Sequence, residues 1–354
     1  MHQDLASGAP DIIGDIHGEL EALHAVLHTL GYDATGRHPA GRTLVFVGDL
    51  VDRGPDSPGV VALVRRLVHA GRAQAILGNH EVNLLRAARK HGNGWLWNLP
   101  STHDDRYRPW VTTGQGEQAL ILDFLRTLPL ALSRADLRVV HAAWHAPSLA
   151  RLAGLDATTP PGELFTRLDQ EAGAQLAREG WAARAASEKS HWRQHFADPA
   201  NPVPMLEGIG RQDAMRQMLN PLRVLTSGVE RPAAAPFFAS GQWRFAERVR
   251  WWDDYADEVP VVVGHYWRRF LPVDRARLGK GDPDLFEGVE PLAWLGRRGR
   301  VFCIDYSVGG RHEERRHGSG AGQFRTRLAA LRWPERTVVL DSGQTLPTSG
   351  YAAG

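Results

Sequence analysis

Five short polar blocks, each placed after an apolar run, constrain this chain more than any other feature. They are GDIHG (14–18), GDLVDRG (48–54), GNHE (78–81), VVHAAWH (139–145) and VVVGHYW (261–267). Together they carry Asp15, His17, Asp49, Asn79, His80, His141 and His265. Four blocks follow an apolar run of strand length, and GDIHG follows a shorter one. Strands IIGD, TLVFVGD, AQAILGNH, LRVVH and PVVVGH would each deliver their polar residues at the carboxyl end. In an open α/β sheet that edge is where ligands bind. Oxygen and imidazole donors gathered there suit hard or borderline divalent metals. Two such ions a few ångström apart can clamp a phosphoryl group and generate hydroxide at neutral pH.

Between the first three blocks the periodicity turns helical, over Leu20 to Leu30, Val60 to Val68 and Glu81 to Arg89. This strand–helix alternation predicts a mainly parallel sheet covered on both faces. A further helix, Gln118 to Leu128, leads through Pro129 into strand Leu137 to His141. Residues 146–258 read differently: Ala- and Arg-rich helical stretches alternate with Pro-containing loops such as DPANPVP (198–204) and ERPAAAP (230–236). Trp181, Trp192, Trp243, Trp251 and Trp252 fall there. We expect a largely helical cap insertion over 146–258, set into a catalytic domain formed by 1–145 and 259–354. After it the chain returns to strand with PVVVGH, VFCID (301–305) and a last strand TVVLD (337–341). RRHGSGAGQF (315–324) reads as an exposed, flexible turn.

Composition excludes some classes. The chain has 354 residues, 43% hydrophobic and 23% charged, which is ordinary for a globular protein. A formal net charge of +2 indicates no general nucleic-acid or membrane field. Its basic residues are nearly all arginine, with lysine only at Lys90, Lys189 and Lys280. The lone cysteine, Cys303, lies in an apolar run and reads as a buried, inert thiol. The N-terminal stretch lacks a signal-peptide pattern, and no run reaches the ~18 apolar residues of a membrane span. A cytoplasmic location is the expectation.

The blocks GDxHG, GDxVDRG and GNHE, followed by two separate strand-end histidines, resemble the calcineurin-like metallophosphoesterases, in particular their phosphoprotein-phosphatase branch. The resemblance covers roughly residues 10 to 145 and resumes near 260. It implies an α/β sandwich of mixed β-sheets flanked by helices. It also implies two divalent metals, manganese first, with iron, zinc or cobalt as alternatives. Asp15 and His17 would bind the first metal, and Asp49 would bridge the two. Asn79, His141 and His265 would complete the second. His80 would protonate the leaving oxygen, held in its tautomer by Asp52, and Arg53 would hold substrate phosphate. A metal-bridging hydroxide would attack phosphorus directly, with no phosphoenzyme.

Ala142–Ala143–Trp144 stands where many relatives have Gly after the first of these histidines, which makes His145 a rival ligand with structural duty as its simpler reading. A second phosphate-binding arginine is expected between His141 and His265. Arg244 is preferred over Arg248 and Arg231, because it sits in GQWRF among aromatics. Glu81 suits a helix start as well as any chemistry, and Asp305 suits either support of the site or a turn. The motif spelling favours phosphate monoesters, phosphorylated protein among them. Dinucleoside tetraphosphate hydrolysis is the alternative, and a silent phosphate-binding module is the alternative of another class. The expected partner is a phosphorylated protein or a small phosphoester or nucleotide. No membrane is expected, and nucleic acid is not indicated.

Overall fold

Both faces of the central strands are apolar, and this dictates layers. A computed structural model describes residues 1–97, 104–271, 275, 281–320 and 322–352. Its strands are β1 (His2–Asp4), β2 (Pro10–Ile13), β3 (Thr43–Phe46), β4 (Ala73–Ala75), β5 (Ala131–Arg134), β6 (Leu137–Val140), β7 (Glu230–Ala239), β8 (Gln242–Arg248), β9 (Val261–Val263), β10 (Val301–Cys303), β11 (Ala329–Arg332), β12 (Thr337–Leu340) and β13 (Thr345–Pro347). One sheet runs β1-β5-β6-β9-β10 and the other β13-β12-β11-β2-β3-β4. Ile12, Val45, Val139, Val262 and Phe302 share the core between the sheets. Their neighbours Ile13, Phe46, Val140, Val261 and Cys303 face outward into a second core, which includes Leu23, Val64 and Leu225 of the flanking helices. Alternation along a strand places successive side chains on opposite faces. The result is helix, sheet, sheet, helix: an α/β sandwich of two mixed sheets.

Within it, β2, β3 and β4 are parallel, and so are β6, β9 and β10. β1 and β5 are parallel as well, but four other pairings differ from the mainly parallel sheet expected. β11 runs antiparallel to β2 and β12, β13 antiparallel to β12, and β5 antiparallel to β6. These extra strands are three or four residues long. They are too short for a two-residue period to stand out, and their place comes from pairing with the motif-bearing strands. TVVLD is accordingly not the last strand.

The helix expected at Leu20–Leu30 spans those residues and ends on Gly31 in the left-handed region. The second covers Ser57–His69, started by Asp56, whose carboxylate accepts from Gly59 N. The third is Asn79–Leu85 rather than 81–89, so it begins inside the GNHE block. The fourth is Gln115–Arg126.

Residues 146–258 are mostly helical, with one correction. ERPAAAP belongs to β7, which pairs antiparallel with β8 across an irregularity between Pro232 and Phe237. Proline lacks a ladder donor and is tolerated at such irregularities. Part of this stretch shares the main core through Leu164, Phe165, Leu222 and Leu225. A distal part has its own small core of Ala185, Val203, Leu206, Ile209 and Phe245. Trp251 and Trp252 are buried; Trp251 donates to Ala142 O and the Tyr266 hydroxyl, tying the loops after β6 and β9. The 315–324 stretch opens as helix, since Arg311–Arg316 is helical and Arg315 pairs with the buried carboxylate of Glu19. No helix among the described residues is long and apolar enough to cross a membrane.

One buried ionic knot joins the sheet edge to the C-terminal strands. Asp11, fully buried on β2, accepts from Arg42, Arg332 and the Tyr32 hydroxyl. Arg42 also donates to Trp333 O. Removing one partner of such a group strands the others without compensation. Asp11→Ala is therefore expected to cost about 3 kcal/mol or more. Urea unfolding checks it, and a loss below about 1 kcal/mol would place the knot among weak surface pairs.

Candidate metal and phosphate site

Because β2, β3 and β4 run parallel, as do β6, β9 and β10, Asp15, Asp49, Asn79, His141, His265 and Asp305 all lie just past carboxyl ends of strands. The backbone there is unusual. His17, Asp49, Asp52, Arg53, His265 and Trp267 all have positive φ, between 48° and 74°. Such conformations cost free energy in non-glycine residues and cluster where function requires them. Close packing keeps the loops together: a Cβ at Gly78 would stand 2.2 Å from Asp49 Oδ1, and one at Gly309 2.4 Å from His17 Cδ2.

Asp49 is the hub. Its Oδ2 lies 3.3 Å from His141 Nε2, 3.8 Å from His17 Nε2 and 4.0 Å from His80 Nε2. Its Oδ1 accepts from His80 N at 3.0 Å, at the start of the Asn79–Leu85 helix. Asn79 Oδ1 lies 2.8 Å from His265 Nδ1 and 3.3 Å from His141 Nε2. His141 Nδ1 donates to Val47 O, and His17 Nδ1 faces Val51 O at 3.1 Å. Each ring thus turns its Nε2 toward Asp49, the arrangement by which a backbone carbonyl orients a metal-binding histidine. Two donor groups result, His17–Asp49–His80 and Asp49–His141–His265, with ligand atoms within 4.8 Å of one another in each. Asp49 belongs to both. Asp15 sits behind them, accepting from His265 N at 3.0 Å.

Charge says what this pocket needs. Burial, with repulsion from Asp305 and Asp49, pushes the Asp15 carboxyl well up. Burial opposes ionisation of Asp49 too, but His141 and His80 hold it well below the usual carboxylate range. Burial would depress His141; the Asp49 and Asp15 carboxylates outweigh it and push it up to about 10. His265 and His17 are held well down, first by burial and then by Arg248 and Arg53 respectively. His265 Nε2 is buried without a partner. Crowded carboxylates, imidazoles and an amide oxygen form a donor set suited to divalent cations, so the residues fit the two-metal expectation.

His80 lies beside this hub. Its Nδ1 is 2.5 Å from Asp52 Oδ2, which leaves Nε2 facing the pocket. Asp52 is held in turn by Trp95 Nε1 at 2.8 Å, and its own N–H donates to Ser57 Oγ. Trp95 could not be singled out in the sequence, since nothing near GWLW suggests chemistry. Glu81 proves to be the clamp between two blocks: its carboxylate accepts from Asp49 N, Leu50 N and Gly78 N, each at 2.8 Å. Burial and the Asp49 charge push it up to about 7.

Arg53 spreads over Trp267, with Cζ 4.6 Å from the ring centre, and its Nη1 is buried without a partner. Asp305 takes the turn role, accepting from Trp267 N and Ser307 N at 2.7 Å each. His145 caps the Ala146–Ala153 helix, with Nδ1 accepting from Ser148 N. The preferred Arg244 faces Asp213 and Glu230. Among the three candidate arginines, Arg248 is the one whose charge depresses His265. The two share a face of β8 but stand four residues apart, about 13 Å along a strand. Arg231 pairs with Glu247 at the surface. Cys303 is buried and pushed up by burial, as an inert thiol should be.

Residues 11–162 match the family model of the calcineurin-like phosphoesterases. The symmetrical bis(5'-nucleosyl)-tetraphosphatase of Ralstonia nicotianae is 36% identical over 157 residues, 42% of this chain and 48% of that protein. The asymmetrical bis(5'-nucleosyl)-tetraphosphatase PrpE of Bacillus velezensis is 34% identical over 148 residues, 40% of this chain and 59% of that protein. The chain spans about half the length of these curated relatives. Among solved structures, the cold-active protein-tyrosine phosphatase of a psychrophilic Shewanella aligns over 98% of this chain and 82% of that one, with a TM-score of 0.48 and 16% identity.

Proposed function

We propose that this chain, which carries a calcineurin-like phosphoesterase domain, hydrolyses phosphate esters with two divalent metals. The observation that carries the reading is Asp49 shared between two donor groups, with the His80–Asp52 pair at their side. Asp49, His17 and Asp15 would serve one ion, and Asp49, Asn79, His141 and His265 the other. When bound, the metals would supply Lewis-acid polarisation and a nucleophile at neutral pH. The chain's own residues do the rest. His80, fixed through Nδ1 by Asp52, offers Nε2 to protonate the leaving oxygen. Arg53 offers Nη1 to a phosphoryl oxygen, and Arg248 is the better placed second guanidinium. Trp95 and Ser57 keep Asp52 from turning.

The motif spelling favours phosphate monoesters. One observation favours a dinucleoside tetraphosphate instead. Relatives alike over the first half of the chain are named as hydrolases of that class. We therefore place the dinucleoside polyphosphate first and the phosphomonoester second. With manganese-loaded protein, kcat/KM for diadenosine tetraphosphate is expected to exceed that for a phosphothreonine peptide by about a hundredfold or more, a ratio well below the roughly 10⁴–10⁵ that a site built for hydrogen bonds can reach. Nucleotide products identified by chromatography would show which phosphoanhydride bond breaks. The reverse preference restores the phosphomonoester reading. Turnover by protein verified free of metal would end the two-metal reading altogether.

A further inference from the structure

The indole of Trp267 has no place in the mechanism so far, yet the chain holds it there under constraint. Trp267 stands two residues past His265 with φ 57°, a conformation costly for a bulky side chain. Its N–H is gripped by the Asp305 carboxylate, which also takes Ser307 N. The ring passes Gly310, where a Cβ would stand 3.5 Å from Cζ3. It also lies 6.3 Å from the His17 ring. What the constraint achieves is the stack on Arg53: the guanidinium carbon is 4.6 Å from the ring centre, and Nη1 is buried without a partner.

An arginine carries several rotatable bonds, and left alone it would spread over many orientations. A cation over an indole face, partly withdrawn from water, is held by the ring quadrupole. Stacking engages the flat face and leaves the in-plane N–H groups open, and these are the groups that fork onto phosphate oxygens. The Arg53 backbone has its own tie, donating to Gly92 O, and a positive φ of 71°. Backbone and ring face are therefore both fixed, and only the N–H edge remains to be satisfied.

We infer that Trp267 is a positioning residue for Arg53, its indole face presetting the guanidinium for a substrate phosphoryl oxygen. The inference rests on the phosphoester-hydrolase reading of the same site. Asp305 acts one step further back, by holding the Trp267 backbone. The sequence could not show this, because Arg53 and Trp267 are more than two hundred residues apart.

The test is a double-mutant cycle between Trp267→Leu and Arg53→Ala, read in three ways. These are steady-state kinetics on 4-nitrophenyl phosphate, calorimetric titration with inorganic phosphate, and metal content by mass spectrometry. Trp267→Leu is expected to raise KM and the phosphate Kd about tenfold, the scale of one desolvated cation–π contact, with a smaller change in kcat and unchanged metal content. In the Arg53→Ala background it should weaken phosphate binding no further. Trp267→Phe keeps a π face and should recover most of the loss. Additive losses in the cycle, a fall in metal content, or a phenylalanine variant as impaired as the leucine one would overturn the inference and place Trp267 behind His17 or in simple packing. If the leucine variant does not fold, the phenylalanine variant and Trp267→His carry the same comparison against Arg53→Ala. Should the unaltered protein hydrolyse no phosphoester at all, the functional reading fails, while the phosphate titration still decides whether Trp267 holds Arg53.

Discussion

Asp49→Asn is expected to lower phosphoester turnover by on the order of 10³-fold or more, the scale of losing a central electrostatic element. The carboxylate belongs to both donor groups, within 4.0 Å of three imidazoles, so no neighbour can substitute for it. Metal content should fall with activity. Asp15→Asn should also silence the site, but its effect on folding separates metal binding from architecture. Burial, Asp305 and Asp49 raise the Asp15 carboxyl. The folded chain therefore binds that proton more tightly than the unfolded one. In metal-free protein the stability this supplies is present at acid pH and lost as pH rises through the raised pKa. Asparagine at 15 removes that loss, so the metal-free variant should be as stable as the parent, or more so, at neutral pH. Urea midpoints of chelator-treated proteins at acid and neutral pH check this. An Asp15→Asn protein that is plainly weaker without metal would mean the carboxylate serves the fold.

His80→Asn should cost about 10²–10⁴-fold on an alkyl phosphate, and much less on an activated aryl phosphate. The reason is the leaving group: a poor one must take a proton as it departs, and a good one need not. The proposed role rests on the surroundings of His80, where Asp52 holds Nδ1 at 2.5 Å and Trp95 and Ser57 hold Asp52. Yet His80 Nε2 also lies 4.0 Å from Asp49 Oδ2, within reach of the first donor group. The leaving-group comparison decides between the two. An equal loss on both substrates, accompanied by loss of metal, would make His80 a ligand.

Much of this site was legible in one dimension because its chemistry is delivered by strand ends. A strand is signalled by its apolar run, and the residue just past it must emerge at the sheet edge. Asp15, Asp49, Asn79, His141 and His265 were thus marked by position as well as type, and the structure gathers them. Helix Leu20–Leu30 was legible for the same reason, a repeating pattern long enough to resolve. The hairpin β7–β8 was not, because Pro232 and the Ala run of ERPAAAP carry loop composition and pair only across an irregularity. Arg244 and Arg248 are both plausible by type, and only the fold shows that Arg248 bears on His265.

The sequence by itself marked the candidate donors, the strand–motif order and the neighbours His80 and Asp52, for which we propose the proton-donor role, since each is encoded within a few residues of a periodic run. Tertiary structure alone decided the supports. These are Trp95 on Asp52, Glu81 between the second and third blocks, the Asp11 knot with Arg42 and Arg332, and Trp267 against Arg53. Each joins residues distant in sequence through hydrogen bonds or ring contacts with no local period. Such contacts exist only once two sheets have packed their parallel strands with the motif-bearing ends at one edge.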